Sequence, residues 1–305
     1  MATQNRNRTA LKSYFLEGVN TDPEPTMGTE IETSFVEQNG QPASVEAVQQ
    51  GFYQLLDADW ETDAGKGERI TTLMCDDAVL SFELGRQNIE LATIASRSNV
   101  TNRVALNRLN QLYAAMETAH VWPRFAPVLE TDEDLLVIPD ERDATWLKLD
   151  GRRPLNYLAR CSSVQYTFSV KPDEAIVIIN RLQAERQQLL AYYPQNMWWH
   201  RYIAESNAPY RADRYGGPTE FRDIDDYCDQ LAKHDVIEGD TLVPFAEATF
   251  SGADDFSLFL RSIWWHFRLK RYGDTLCVEV RPLPRGRDEG LAGQLQKVLS
   301  IAGMA

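Results

Sequence analysis

Acidic side chains recur on one side of four stretches of this sequence in which apolar and polar residues alternate. Successive side chains of a β-strand point to opposite faces, so each stretch is predicted to be a strand with one apolar and one polar face. The predicted strands run from Met27 to Val36, from Val79 to Thr93 with a break at Gly85, from Ser163 to Val170 and from Thr275 to Pro282. Their polar faces carry Glu30, Glu32, Glu83, Glu90, Gln165, Glu279 and Arg281.

This polar set has the composition of a site for a hard divalent cation. Carboxylates that lie close together disfavour one another's ionisation unless positive charge is supplied. Oxygen ligands without Cys or His favour Mg²⁺ or Mn²⁺ over zinc, and Mg²⁺ with open positions commonly serves a nucleotide phosphate. Arg281, two residues after Glu279 on the same strand face, is placed to stabilise a transferring phosphoryl group. The alternative is an ordinary solvent-exposed sheet face, although such faces usually mix Lys, Thr and Glu.

Motifs for several other chemistries are absent from the sequence. There is no Gly-x-x-x-x-Gly-Lys-Ser/Thr loop, no Gly-x-Gly-x-x-Gly opening a helix, and no Gly-x-Ser-x-Gly elbow. The four cysteines form no Cys-x-x-Cys pair, which argues against a zinc knuckle or a redox dithiol. A net charge of -14 argues against general nucleic-acid binding. Nucleotide chemistry, if present, is therefore expected on the polar face of the sheet.

The composition predicts one domain over residues 1–305. The chain is 43% hydrophobic and has no Gly/Ser-rich or Pro-rich linker, so one large core is expected. We expect an N-terminal tail over about residues 1–20 and a C-terminal helix over about 289–303. The polar N-terminus lacks an apolar signal segment, and no run of eighteen uncharged apolar residues occurs. A cytoplasmic protein without a membrane partner is therefore expected.

Residues with helical periodicity alternate with the four predicted strands. Helices are predicted at about Ser44–Leu56, Ser98–Ala119, Asp173–Tyr193, Phe221–Lys233 and Glu289–Ala302. The simplest assembly is an α+β fold, in which an antiparallel sheet packs helices on its apolar face and leaves the other face polar. Residues 124–153, which are acidic and contain prolines, match no element of this scheme.

Four short motifs, in order along the chain, resemble those of the glutamate-cysteine ligases and related carboxylate-amine ligases, which belong with glutamine synthetase by fold. They are Gly28-Thr29-Glu30-Ile31-Glu32, Glu83 with Ile89-Glu90-Leu91, Gln165 within Ser162–Ser169, and Glu279-Val280-Arg281. The resemblance implies a glutamine-synthetase-like catalytic domain, with a curved antiparallel sheet and helices on its outer face. It also implies that the concave face binds ATP with two or three Mg²⁺ (or Mn²⁺) ions.

The same resemblance implies an ATP-dependent ligase that joins a carboxylate to an amine through an acyl-phosphate. Glutamate's γ-carboxylate and cysteine's amine are the leading pair, and amino-acid or peptide substrates are the expected partners, with a homo-oligomer possible. Arg281 is expected to contact the ATP phosphates, and Arg211, preferred over Arg214, to reach the γ-phosphate. The implied metal ligands are Glu30, Glu32, Glu83, Glu90, Gln165 and Glu279. Further candidates for substrate or ATP binding are Arg86, Asn88, Thr167, Arg214 and Lys270.

Other interpretations of the sequence stay open. A phosphotransferase would keep the metal-binding face without forming an amide, and a non-catalytic nucleotide-binding or metabolite-binding protein would keep the fold. Lys270 is equally consistent with a solvent-exposed turn. The runs Trp198-Trp199-His200 and Trp264-Trp265-His266 fit a ligand pocket, but core packing is favoured because aromatic clusters usually fill core space.

Overall fold

The computed structural model describes residues 2–56, 58–136, 141–190 and 193–304. Its helices are α1 (Ala2–Leu16), α2 (Val45–Leu56), α3 (Ser98–Thr118), α4 (Glu141–Asp150), α5 (Arg152–Leu158), α6 (Ala175–Ala184), α7 (Arg186–Leu190), α8 (Gln195–Glu205), α9 (Ile224–Leu231), α10 (Ala253–Arg261) and α11 (Leu291–Ala302). Its strands are β1 (Met27–Glu37), β2 (Glu61–Lys66), β3 (Arg69–Cys75), β4 (Ala78–Phe82), β5 (Asn88–Thr93), β6 (Val121–Arg124), β7 (Ser163–Ser169), β8 (Tyr215–Gly216), β9 (Val236–Glu238), β10 (Thr241–Val243), β11 (Trp264–Trp265), β12 (Phe267–Tyr272) and β13 (Thr275–Pro284).

A nine-stranded antiparallel sheet organises the fold. Its strand order is β12-β13-β7-β1-β5-β4-β3-β2, and β6 also pairs with β1. The short β8 and β11 pair in parallel beside it. All four predicted strands belong to the large sheet, and the α+β class is confirmed. The curvature of the sheet stays a prediction.

The break predicted at Gly85 separates β4 from β5. A Cβ atom at Gly85 would collide with the carbonyl oxygen of Ala159 and with the side chain of Gln87. The Asn88 N–H closes the turn by donating to the Gly85 carbonyl at 2.9 Å. Glycine is therefore required where the chain turns between Glu83 and Glu90.

The apolar face of the sheet forms the main hydrophobic core, as the alternation predicted. Met27, Ile31 and Phe35 of β1 are all buried in it. Helix α3 packs on β1 and β5, α6 packs on β12 and β13, and α11 packs on α6. These helices cover the apolar side and leave the other side of the sheet for the site.

A second, smaller core lies on the polar side of the sheet. It is built from residues of α4, α5, α8 and the segments around them, including Leu135, Leu155 and Tyr202. Leu84, which follows β4 where the chain turns, packs against this second core. From the 124–153 range, which matched no predicted element, Leu129, Leu135 and Leu136 and residues of α4 are part of this layer, whereas Arg124 ends β6.

Several helical boundaries differ from the predicted ones. The predicted N-terminal tail contains α1, whose Leu11 and Phe15 are fully buried. The predicted Asp173–Tyr193 helix is two helices, α6 and α7, separated at Glu185, and part of its C-terminal end lies outside the described residues. Helix α11 lies within the C-terminal helix predicted over 289–303. No helix in the described ranges combines the length and apolarity needed to cross a membrane.

Candidate active site

The polar face of the sheet is not an open surface but the floor of a cavity. The second core forms the opposite side, so the cavity lies between the sheet and α4, α5 and α8; its volume is about 250 Å³. Nine of the thirteen predicted site residues line it: Glu30, Glu32, Glu83, Asn88, Glu90, Gln165, Lys270, Glu279 and Arg281. The structure thus brings together most of the residues that the alternation singled out.

Strand register explains how the floor is assembled. Glu30 of β1 lies opposite Gln165 of β7, and Glu32 lies opposite Glu90 of β5. Because directly opposite side chains on one sheet face lie close together, residues that are distant in sequence meet here.

The acidic half of the floor consists of Glu30, Glu32, Glu83 and Glu90, and Lys270 lies at its edge, 3.6 Å from Glu30. Glu32 accepts hydrogen bonds from the Ser163 N–H and hydroxyl at 2.9 and 2.8 Å. Burial nevertheless raises the pKa of Glu32, and the two Ser163 bonds only partly offset it. Burial, together with the charges of Glu30 and Glu83, raises the pKa of Glu90 well above its usual value. A bound cation would favour the ionised forms of Glu32 and Glu90.

The donor atoms on the floor suit a hard cation. Gln165 donates to Glu32 at 3.2 Å through its amide nitrogen, while its amide oxygen is buried without a hydrogen-bond partner. An unpaired buried amide oxygen beside carboxylates matches the ligand preference of Mg²⁺. Within the described ranges, however, no three His, Cys, Asp or Glu side chains are already grouped as a metal site. The donor chemistry fits Mg²⁺, and metal binding stays a prediction.

The basic half of the floor surrounds Glu279, whose side chain is fully buried. Arg268 pairs with its Oε2 atom, Arg281 donates to the same oxygen at 2.9 Å, and Lys270 donates to Oε1 at 2.7 Å. Burial opposes ionisation of Glu279, yet these three cations hold its pKa well below the usual range. Both carboxylate oxygens are therefore engaged by bases in this structure.

Arg268 is a site residue that the sequence analysis missed. It lies on β12 opposite Glu279 and is 5% exposed. The signal was present, since Arg268 and Lys270 alternate with the buried Phe267 and Leu269. The alternation covers only Phe267 to Lys270, which is too short to predict a strand from sequence.

Four predicted site residues, Arg86, Thr167, Arg211 and Arg214, lie outside the cavity lining formed by the described residues. Arg86 donates to the carbonyl oxygens of Ala43 and Asp134 and pairs with Glu133. Thr167 lies on β7 opposite Glu279. Their binding roles stay predictions.

The two arginines of the 207–217 loop have different environments. Arg211 forms an ion pair with Asp213 at 2.8 Å, and half of its side chain is exposed. Arg214 is buried, and it donates to the Ser262 carbonyl at 2.7 Å, to the Ser262 hydroxyl at 2.8 Å and to the Asp235 carbonyl at 3.0 Å. Arg214 thus ties the loop to the fold, whereas Arg211 is free of such anchoring.

Aromatic rings form the side of the cavity that faces the carboxylates. We call this set the aromatic wall: Trp146, Trp199, Tyr215, Trp264 and His266. Core packing was the favoured interpretation of the two Trp-Trp-His runs. It holds for Trp198 and Trp265, whereas Trp199, Trp264 and His266 line the cavity.

His266 stands at one end of this wall. It is 6% exposed, and neither ring nitrogen has a hydrogen-bond partner. Burial, with Arg186, His200 and Arg281 nearby, lowers the pKa of His266 to about 3, so the ring is neutral at neutral pH. Its backbone is held on both sides, since its N–H donates to Gly216 and its carbonyl accepts from the Arg281 N–H.

The large antiparallel sheet with helices packed on its apolar face defines an α+β class of fold, and solved structures were compared with it. Glutamate–cysteine ligase from Francisella tularensis in complex with AMP matches with a TM-score of 0.55 and 12% identity, over 93% of this chain and 67% of its own. A bifunctional glutathione synthetase from Pasteurella multocida matches with a TM-score of 0.47 and 9% identity, over 99% of this chain and 41% of its own. A glutamine synthase homolog matches with a TM-score of 0.44 and 13% identity, over 98% of this chain and 58% of its own.

The first of these matches supports the predicted α+β fold with its large antiparallel sheet, which this chain shares with that solved structure. This chain spans about half the length of the other two neighbours. The sequence matches no family model and no curated protein. Membership of the ligase family therefore stays a prediction.

Proposed function

We propose that this protein is an ATP- and Mg²⁺-dependent ligase that joins a carboxylate to an amine through an acyl-phosphate. The observation that carries the proposal is the cavity floor. There, a cluster of carboxylates adjoins a basic half centred on Glu279. An acidic half can hold a cation, and a basic half can receive the phosphates that this cation accompanies. The shared fold and the four sequence motifs support the same assignment.

In this proposal the acidic half holds the metal. Glu30, Glu32, Glu83, Glu90 and the free amide oxygen of Gln165 supply oxygen ligands. Bound Mg²⁺ would neutralise phosphate charge and orient the nucleotide for in-line attack.

The basic half stabilises the transferring phosphoryl group. An oxygen of the donor carboxylate attacks the γ-phosphorus while the bond from phosphorus to the ADP oxygen breaks, giving an acyl-phosphate and ADP. The neutral amine nitrogen then attacks the acyl carbon, the bond between that carbon and the phosphate oxygen breaks, and inorganic phosphate leaves with the proton released by the nitrogen. Arg268, Lys270 and Arg281 supply positive charge where negative charge develops on the phosphoryl oxygens. Arg211, half-exposed on its loop, is the proposed γ-phosphate contact from outside the sheet.

Glutamate is the leading carboxylate donor on the basis of the motif resemblance, and amino acids or peptides are the proposed substrates. Cysteine is the leading acceptor on the same basis. A cytoplasmic location and a homo-oligomeric state belong to the proposal as expectations of the sequence.

The test is phosphate release from ATP and MgCl₂ against a panel of carboxylates and amines, offered singly and in pairs, with mass spectrometry of the products. We expect release that requires both partners and an adduct with the mass of the amide. Arg281→Met should abolish it, whereas Arg287→Met, at an exposed arginine outside the cavity, should not. Phosphate release with a single partner and no amide mass would instead indicate a phosphotransferase or an ATPase.

A non-catalytic protein that binds nucleotide or metabolite is the second candidate. It is favoured by the state of Glu279, whose two oxygens are already paired with three bases. Tight binding of Mg·ATP without turnover of any pair in the panel would select this candidate.

A further inference from the structure

The aromatic wall has no part in the function proposed above. Trp146 contacts Trp264 at 5.2 Å between ring centroids, and Trp264 contacts Trp199 at 5.7 Å. Trp199 stacks on Tyr215 at 5.3 Å with nearly parallel planes, and Tyr215 meets His266 edge to face at 4.9 Å. Five rings in mutual contact present one continuous surface to the cavity.

This surface is incompletely covered by the protein itself. Trp264 and Tyr215 are buried, but Trp146 and Trp199 each keep part of their ring accessible while lining the cavity. Leu84 and Leu158 extend the apolar surface beside them. Ligand pockets combine such apolar walls with a few polar groups, and the apolar part takes the body of the ligand.

His266 is an independent sign that a ligand belongs here. Buried polar atoms nearly always have hydrogen-bond partners, yet both nitrogens of this nearly buried ring have none. A neutral imidazole offers one donor and one acceptor. A bound amine or hydroxyl group at the end of the wall would satisfy them.

The proposed function fixes one end of the occupant. A ligase acceptor must present an amine, and the unpaired nitrogens of His266 can bind such a group. The aromatic rings of the wall can bury an apolar group attached to that amine. The phosphates of the nucleotide are assigned to the charged floor of the cavity instead.

We propose that the aromatic wall is the acceptor subsite and that the acceptor is an amine bearing an aromatic or large apolar group. This inference rests on the proposed ligase function, because only in a ligase does the amine bound at the wall attack the acyl-phosphate. Selectivity then comes from burial of the apolar group against Trp146 and Trp199, while His266 binds the amine end.

The experiment compares matched amines that differ by a ring, phenethylamine against ethylamine and phenylalanine against alanine. Binding to the full chain is measured by calorimetry, and phosphate release is measured with glutamate, ATP and MgCl₂. We expect the ring-bearing member of each pair to bind at least about tenfold more tightly and to have a kcat/KM higher by a similar factor. Trp146→Leu and Trp199→Leu should each reduce this preference at least about threefold and leave the KM for ATP within about twofold.

Trp122→Leu is the matched control, since Trp122 is a half-buried tryptophan on β6 that does not line the cavity, and it should leave the preference unchanged. Equal binding of the two members of each pair would overturn the inference. A rise in the KM or Kd for ATP without a change for the amines would also overturn it and assign the wall to the nucleotide base. If no pair supports phosphate release, the ligase function fails, and the calorimetric preference still decides whether the wall takes an apolar amine.

Discussion

Lys270 bridges two carboxylates that come from different strands of the sheet. Its Nζ atom lies 2.7 Å from Oε1 of Glu279 on β13 and 3.6 Å from Oε1 of Glu30 on β1. Burial alone would lower the pKa of Lys270, but Glu279 and Glu30 raise it above its usual value. The lysine therefore stays charged at the boundary between the acidic and basic halves of the floor.

Replacement of Glu279 by Gln should destabilise the fold. The change leaves three cations around a neutral side chain in a buried site, so the free energy of unfolding should fall by about 3–5 kcal/mol. Urea denaturation measures this loss. Glu117→Gln, at an exposed position on α3, is the control and should change stability by less than about 0.5 kcal/mol. Equal stability of the two variants would mean that the ion pairs around Glu279 do not persist in solution.

Two buried histidines should make the fold sensitive to mild acid. Burial lowers the pKa of both His266 and His234 to about 3. The unfolded chain takes up a proton near pH 6.5, whereas the folded chain does not. Each histidine therefore contributes stability that is fully present above pH 6.5 and is lost as the pH falls toward 3. Between pH 7 and pH 5, each histidine should lower the free energy of unfolding by about 2 kcal/mol.

Substitution of one histidine isolates this contribution. The free energy of unfolding of His266→Phe should fall less than that of the wild type between pH 7 and pH 5, by about 2 kcal/mol. A wild-type slope in His266→Phe would show that the ring does not become buried and neutral on folding.

Substitution of Arg214 should reduce the stability of the fold, whereas substitution of Arg211 should reduce activity. Arg214→Met removes hydrogen bonds to Ser262 and Asp235 in a buried site and should lower the free energy of unfolding by about 2–4 kcal/mol. Arg211→Ala removes an exposed ion pair and should change it by less than about 1 kcal/mol. If Arg211 meets the γ-phosphate, its loss should reduce kcat for phosphate release about 100-fold or more. Stable and fully active Arg211→Ala protein would remove this arginine from the mechanism.

Alanine substitution at Gly85 tests the turn between Glu83 and Glu90, and the same substitution at Gly293 is the control. An added Cβ at Gly85 has no room, so Gly85→Ala should cost about 1–3 kcal/mol of stability. Gly293 lies in α11 with no neighbouring atom within 4 Å of an added Cβ, so Gly293→Ala should gain about 0.5–1 kcal/mol. Thermal unfolding compares the two. A neutral Gly85→Ala would mean that the turn can shift away from Ala159.

The floor of the site was predictable because strand alternation is a local property. Glu30 and Glu32 fall on one face of β1 whatever surrounds the strand, and the same holds for Glu279 and Arg281 on β13. Their charge alone distinguished the polar face from the core. This is why all seven residues that the alternation placed on polar strand faces line one cavity.

The rest of the site depends on contacts between distant segments. Nothing local distinguishes Arg214 from Arg211, since burial of Arg214 requires Ser262 and Asp235 to arrive from elsewhere. Likewise, Trp198 and Trp199 are adjacent identical residues, and only the packing of α8 turns one toward the core and the other toward the cavity. Helix α1 is weakly amphipathic and is secured by burial of Leu11 and Phe15 against later segments.

The strand order has a consequence for how the chain acquires its site during synthesis. Strand β1 is made early, but its neighbours β5 and β7 follow much later, and β13 comes near the end of the chain. A nascent chain therefore carries Glu30 and Glu32 on a strand with unpaired edges until β7 emerges. Glu279 and its three bases complete the floor only with the last hairpin, so the cavity is among the final features to form and a chain truncated before β12 would hold its carboxylates without their counter-charges.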